Sequence, residues 1–174
     1  MIALEPPGNV ARDLALYRRE LFARLGEGSA LAFPEIVPLA FASDAGRLSA
    51  LALADCWKGI EGSFRATEPQ ISRGILYLAM EGPLSALSSR AFEASLAMGK
   101  HFSIESPLET GIGIFLCRPA DPSLALAEAA RIGPPRAGFR DCSLILLGLR
   151  LGAEPFAAAT WRVLARAKRR TGLI

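Results

Sequence analysis

The stretch "FPEIVPLAFA", Phe33–Ala42, decides how the chain is read. It is a short apolar run introduced by a proline, and from Ile36 to Ala42 none of its side chains titrates. Side chains alternate across a strand. Val37, Leu39 and Phe41 are therefore expected on a core face, and Ile36, Pro38, Ala40 and Ala42 on a second face. A strand of this kind is the usual setting for catalytic groups displayed in a cleft. Here the cleft face is apolar too, so that half of a cleft is expected to be greasy or filled by the protein itself.

Working outward, Met1–Leu4 reads as a buried strand and "PPG" as a turn, with Asn9 as helix cap. Val10, Leu14, Tyr17, Leu21 and Leu25 then form one helical stripe, leaving Arg12, Arg18, Arg19 and Glu20 off it. "SALAF" before Pro34 is a further short strand, and Asp44–Trp57 suits a small helix. Phe64–Arg73 is extended, with a turn expected at "EPQ". "GILYLAME" (Gly74–Glu81) is a strand, and a helix capped by Ser85 follows to Met98. "HFSIES" is a strand, as is "TGIGIFLCRP" (Thr110–Pro119). Asp121 before Pro122 marks a strong helix start, and that helix runs to Ile132. "FRDCSLILLGLRLG" (Phe139–Gly152) reads as one long strand. "ATWRVLARA" alternates as a strand although Phe156, Thr160, Val163 and Ala167 also trace a helical face; the strand is the preferred reading.

"IALEPPGNVARDLAL" resembles "IFLCRPADPSLALAE", and each leads on to a strand of matched form, "FPEIVPLAF" and "FRDCSLILL". Two strand–helix–strand copies predict an α+β protein. It is expected as a single two-lobed domain over 1–174, with pseudo-symmetric lobes around a central cleft. Each lobe is a small, mostly antiparallel sheet with outer helices.

Composition limits the chemistry. Of 174 residues, one is a histidine, His101, so a mechanism that needs two histidines from one chain is excluded. Cys56, Cys117 and Cys142 are odd in number and far apart, which predicts neither a disulfide framework nor a zinc site. No cofactor or metal is expected. No uncharged run approaches the ~18–20 residues that span a bilayer, and "MIALEPPGNVARD" is no signal peptide. A soluble, cytoplasmic chain without membrane contact is the expectation. Formal charge is +3, with Arg162, Arg166, Lys168, Arg169 and Arg170 crowded near the end. That crowd reads first as a solvated terminal element, and second as a phosphate-facing patch that would give salt-sensitive nucleic-acid binding.

The frame "FPEIVPLAF", the opening "MIALEPP" before a helix and "GILYLAME" before another resemble the two-histidine phosphoesterase superfamily, which includes the RNA 2′,5′-ligase-like proteins and cyclic phosphodiesterases. That family has two pseudo-symmetric lobes, each carrying a His-x-Thr/Ser-x motif on a strand that faces the cleft. The resemblance places Ile36 at the first histidine position and Pro38 at the first hydroxyl position. "FRDCSLIL" fits the same frame, with Asp141 at the second histidine and Ser143 keeping the hydroxyl. The family's base and acid must titrate near neutral pH, and isoleucine cannot. A carboxylate at position 141 would repel a phosphate unless its pKa were moved. The resemblance therefore implies a catalytically degenerate protein that binds a ligand or partner. The alternative is a divergent phosphoesterase that acts on RNA or cyclic nucleotides through Asp141, Ser143 and cleft arginines.

Arg65, Arg73 and Arg162 are the candidate cleft arginines, each weighed against an ordinary solvated role. Asp141 is weighed against pairing with Arg140 or Arg136. His101 reads as a helix-end or surface residue, Trp57 and Trp161 as core or lobe-edge aromatics, and Cys142 as buried and inert. The candidate partners are a nucleotide, RNA, a small phosphate or a protein; the oligomeric state is left open.

Overall fold

The structure, a computed structural model, describes residues 1–26, 34–41, 48–96, 113–135, 138–150 and 160–169. The strands expected at "SALAF" and "HFSIES", and with them His101, lie outside the described residues, as do Arg136 and Arg170.

Among the described residues, four helices and two antiparallel sheets form the architecture. In chain order they are β1 (Ile2–Glu5), α1 (Gly8–Leu25), β2 (Val37–Ala40), α2 (Ala50–Asp55), β3 (Phe64–Ser72), β4 (Ile75–Glu81), α3 (Leu84–Leu96), β5 (Gly113–Cys117), α4 (Pro122–Ile132), β6 (Gly138–Phe139), β7 (Ser143–Arg150) and β8 (Thr160–Lys168). The first sheet runs β2-β1-β7-β8 and the second β5-β4-β3-β6. Every pairing is antiparallel. The chain is thus α+β with two sheets, and the tail strand is β8.

Local chemistry sets the element ends. Asp121 caps α4: its Oδ1 accepts from the Ser123 and Leu124 amides, both at 3.0 Å. Ser49 caps α2 through the Ala52 amide. Gly26, at φ 68°, ends α1 and donates to the Phe22 carbonyl at 2.8 Å. Asn9 does not cap α1. The extended Pro7 occupies the cap position and the helix begins at Gly8, because the fixed φ of proline delivers the chain directly into the first turn. Helix α3 similarly begins at Leu84, one residue before the expected cap Ser85.

Two further expectations are corrected. The turn expected at "EPQ" is absent; β3 runs through Glu68–Gln70 with a register irregularity between Ala66 and Pro69. β6 covers only Phe64 and Arg65, so Pro69 removes no ladder bond on the far side of β3 among the described residues. The chain reverses instead at Arg73–Gly74, with φ 47° and 75°, a two-residue hairpin connection with both residues left-handed. The long strand expected over Phe139–Gly152 is broken. Phe139 pairs with Phe64 in the second sheet, and Ser143 begins β7 in the first.

The main core joins both sheets and all four helices. It holds Ile2, Leu4, Val37 and Leu39 from the first sheet, Leu76, Leu78, Ile114 and Leu116 from the second, and Leu14, Leu53, Leu87 and Ala125 from the helices. The edge strands β2 and β5 lie beside each other. Trp57, Phe64 and Phe139 form an aromatic junction, with Phe64 and Phe139 stacked at 5.8 Å. The Arg169 guanidinium lies over Trp57 and Phe64 at 5.4 and 5.8 Å.

Candidate functional site

The two edge strands share one backbone plan. In the first sheet Leu4 pairs Val37 and Ala3 pairs Pro38, but Ile2 pairs Ala40. Leu39 is therefore an extra residue, a β-bulge. In the second sheet Leu78 pairs Ile114 and Tyr77 pairs Phe115, but Leu76 pairs Cys117. Leu116 is the extra residue there. Superposing the two registers equates β1 with β4, β2 with β5, and Leu39 with Leu116. The helix between each strand pair, α1 or α3, completes the repeat.

This corrects the repeat read from the sequence. The partner of β1-α1-β2 is β4-α3-β5, and the counterpart of Ile36 and Pro38 is Gly113 and Phe115 rather than Asp141 and Ser143. Sequence patterning missed Gly113 and Phe115 because "FRDCSLIL" satisfies the same alternation. Strand pairing, a long-range property, distinguishes the two stretches.

The bulge also explains Phe41. Val37 and Leu39 enter the main core as expected, but Ala40 joins them because Leu39 is inserted. Alternation then resumes one residue out of phase, and Phe41 packs on the opposite face beside Ile36. That face forms a second small cluster of Met1, Ala3, Ile36, Ile145 and Leu147. Ile36 is only 3% exposed, and Pro38 is buried as well. The Met1 amino group donates to the Leu147 carbonyl at 2.9 Å, and burial lowers its pKa to about 6. On the equivalent face of the second sheet lie Ile75, Tyr77 and Phe115, all buried outside the main core. Tyr77 Oη donates to Gln70 Oε1 at 2.8 Å. At Gly113 a Cβ would run into the carbonyl of Leu78, so the position opposite Ile36 in the repeat has room for no side chain.

Polar residues hold this apolar frame. Ser88 of α3 donates to the Leu39 carbonyl, the bulged residue of β2, at 3.1 Å. Arg18 of α1, 1% exposed, donates to Glu35 Oε1 at 3.0 Å just before β2. Burial lowers the Arg18 pKa, opposed by Glu35. Arg18 was expected off the helical stripe. It lies four residues after Leu14 and three before Leu21, and that spacing was the available signal.

Asp141 and Ser143 sit elsewhere. Ser143 pairs Glu5 and Lys168 across β7 and shares a face with Ile145, while Cys142, Leu144 and Leu146 enter the main core. This face assignment agrees with the sequence reading, but it is the same sheet that carries Ile36. The residues line an open pocket of about 430 Å³ with Glu5, Pro7, Gly8, Arg166 and Lys168. Arg166 is already bound to Glu5 Oε1 at 2.7 Å. Cys142 is buried; its thiol donates to the Arg140 carbonyl at 3.3 Å, and burial pushes its pKa up to about 11. It is a protonated, inert thiol at neutral pH.

The three candidate arginines do not gather there. Arg65 and Arg73 belong to the second sheet; Arg65 is exposed and bound to Glu81 at 2.6 Å, and Arg73 is in the hairpin turn. Arg162 lies on β8 opposite Gly148, where it lines a different open pocket with Arg150 and Trp161. Trp57, expected in the core or at a lobe edge, is half-buried in the aromatic junction, its Nε1 donating to the Ala167 carbonyl at 3.2 Å. Trp161, expected in the core or at a lobe edge, is 46% exposed on an outer strand. Among the described residues no helix is long and apolar enough to cross a membrane. No three His, Cys, Asp or Glu side chains among them gather to hold a metal ion. No family model, curated protein or solved structure matches the chain.

Proposed function

We propose that the protein is a catalytically degenerate two-histidine phosphoesterase-like protein that binds its ligand without cleaving it. One observation carries this reading: the two equivalent pairs on the bulged edge strands are Ile36 with Pro38 and Gly113 with Phe115. None of these side chains titrates or donates a hydrogen bond, so neither strand can supply the acid or the base of phosphodiester cleavage. Ile36 and Pro38 are also buried, which leaves that wall of the cleft without a surface for substrate.

The polar pocket beside β7 is the better place for a ligand. Arg166, Lys168 and Ser143 offer charge and hydrogen bonds to a phosphate or nucleotide, with Glu5 competing for Arg166. The same pocket favours the alternative, a divergent phosphoesterase that uses Asp141 and Ser143. That alternative loses its expected arginines, since Arg65, Arg73 and Arg162 lie outside the pocket.

Incubation with 2′,3′-cyclic nucleotides and 2′,5′-linked oligonucleotides separates the two. Calorimetric binding with the nucleotide recovered intact, weakened by Lys168→Ala, supports the binding protein. Turnover that persists through purification and disappears in Asp141→Ala sinks it in favour of the enzyme.

A further inference from the structure

β8 is the outer strand of the first sheet, and among the described residues nothing pairs with its far side. An edge strand presents unpaired N–H and C=O groups to any extended chain. Nine residues long, β8 exceeds β1 and β2, and its residues from Thr160 to Leu164 are all exposed. Three large apolar side chains stand on it in the open: Trp161, Val163 and Leu164, at 46%, 40% and 39% exposure.

The register fixes their faces. Trp161 pairs Leu149 and Val163 pairs Leu147; after the irregularity at Leu164, Arg166 pairs Ile145 and Lys168 pairs Ser143. One face thus runs from apolar to basic along the strand, and Arg162 stands on the other. All the charge of β8 is positive, from Arg162, Arg166 and Lys168, with no acidic residue. Arg162 and Lys168 form no ion pair among the described residues, and Arg150 adds a further cation beside Trp161. A second copy paired along this edge would add three more cations and no carboxylate. Like charges across paired strands are destabilising, so a second copy is a poor occupant. A segment of opposite charge is a good one.

We propose that β8 is a docking edge for an extended, acidic segment of another protein, which adds a fifth strand to the first sheet. Main-chain hydrogen bonds would supply the pairing. Apolar side chains of the segment would cover Trp161 and Val163 on one face, and its carboxylates would meet Arg162 on the other. This inference is independent of the reading of the cleft.

The test uses the full chain and a fluorescein-labelled ten-residue peptide that alternates valine with glutamate. Three comparison ligands are a lysine-for-glutamate version, an acidic version with alternate amides N-methylated, and a single-stranded oligouridine. The expected result is saturable anisotropy for the acidic peptide alone, weakened at least about tenfold by N-methylation, by Trp161→Ala and by Arg162→Glu. Equal binding of the N-methylated peptide reduces the effect to nonspecific charge attraction and overturns the proposal. So does no binding of the acidic peptide, tighter binding of the oligouridine, or a dimer in sedimentation that Arg162→Glu leaves intact.

Discussion

The first edge strand, β2, and the second, β5, share a backbone and differ in nearly every side chain. Both pair antiparallel with the strand that precedes their helix, and both carry one extra leucine at the same point, Leu39 and Leu116. Their core faces are interchangeable in kind: Val37, Leu39 and Ala40 against Ile114, Leu116 and Cys117. Their other faces are not: a buried isoleucine and proline against a glycine and a phenylalanine. The core face and the bulge fix the frame, because a slip of one residue would turn the apolar set away from the core. The opposite face can vary without disturbing the frame, provided each new side chain fits where it lands.

That comparison can be broken most sharply at Gly113. Gly113→Ala drives a Cβ into the Leu78 carbonyl, and the expected cost is about 3 kcal/mol or more, read from the urea midpoint and the soluble yield. A neutral result would mean that β5 does not approach β4 as closely as its register requires. The matching change in β2, Ile36→Ala, empties a site 3% exposed rather than overfilling one. Here the same denaturation should show a loss of about 2–4 kcal/mol; a change under about 0.5 kcal/mol would mean that the second cluster is open to water.

Arg169→Ala removes a guanidinium that sits over Trp57 and Phe64 and donates to the Gly62 and Ile60 carbonyls at 2.8 and 2.7 Å. A half-exposed site reduces its worth, so the loss should be about 1–2 kcal/mol, with Arg169→Lys recovering only part of it. Ser88→Ala acts on one side of the comparison alone. It leaves the bulged Leu39 carbonyl without its hydroxyl partner, at about 1 kcal/mol. Faster amide exchange in β2 than in β5 would mark the asymmetry, and equal acceleration of both strands would contradict it. The smallest effect concerns Cys142. With its thiol pKa raised to about 11 by burial, the group stays protonated through pH 8, and iodoacetamide should label it only after unfolding. Rapid labelling of the native protein at pH 8 would show that the thiol is exposed or acidified.

Much of the frame was legible in the sequence. The α4 cap at Asp121, the β1 and β8 strands, and the core assignment of Val37 and Leu39 follow from short-range chemistry that local patterns carry. The bulges were not legible: an extra leucine among apolar neighbours leaves no compositional mark, so Phe41 was assigned to the wrong face. The second member of the repeat was misplaced for a related reason. "FRDCSLIL" alternates as well as any half-buried strand, yet Phe139 and Ser143 belong to different sheets. Arg18 was hidden because a charge on an apolar stripe reads as a solvated residue until its partner, Glu35, is brought beside it by the fold.

The register itself is the most direct test. Cross-strand nuclear Overhauser contacts should connect Ala3 with Pro38 and Ile2 with Ala40, and likewise Tyr77 with Phe115 and Leu76 with Cys117, leaving Leu39 and Leu116 unopposed. An unbroken ladder in either sheet, with Ile2 opposite Leu39 or Leu76 opposite Leu116, would contradict the equivalence of Ile36 and Pro38 with Gly113 and Phe115.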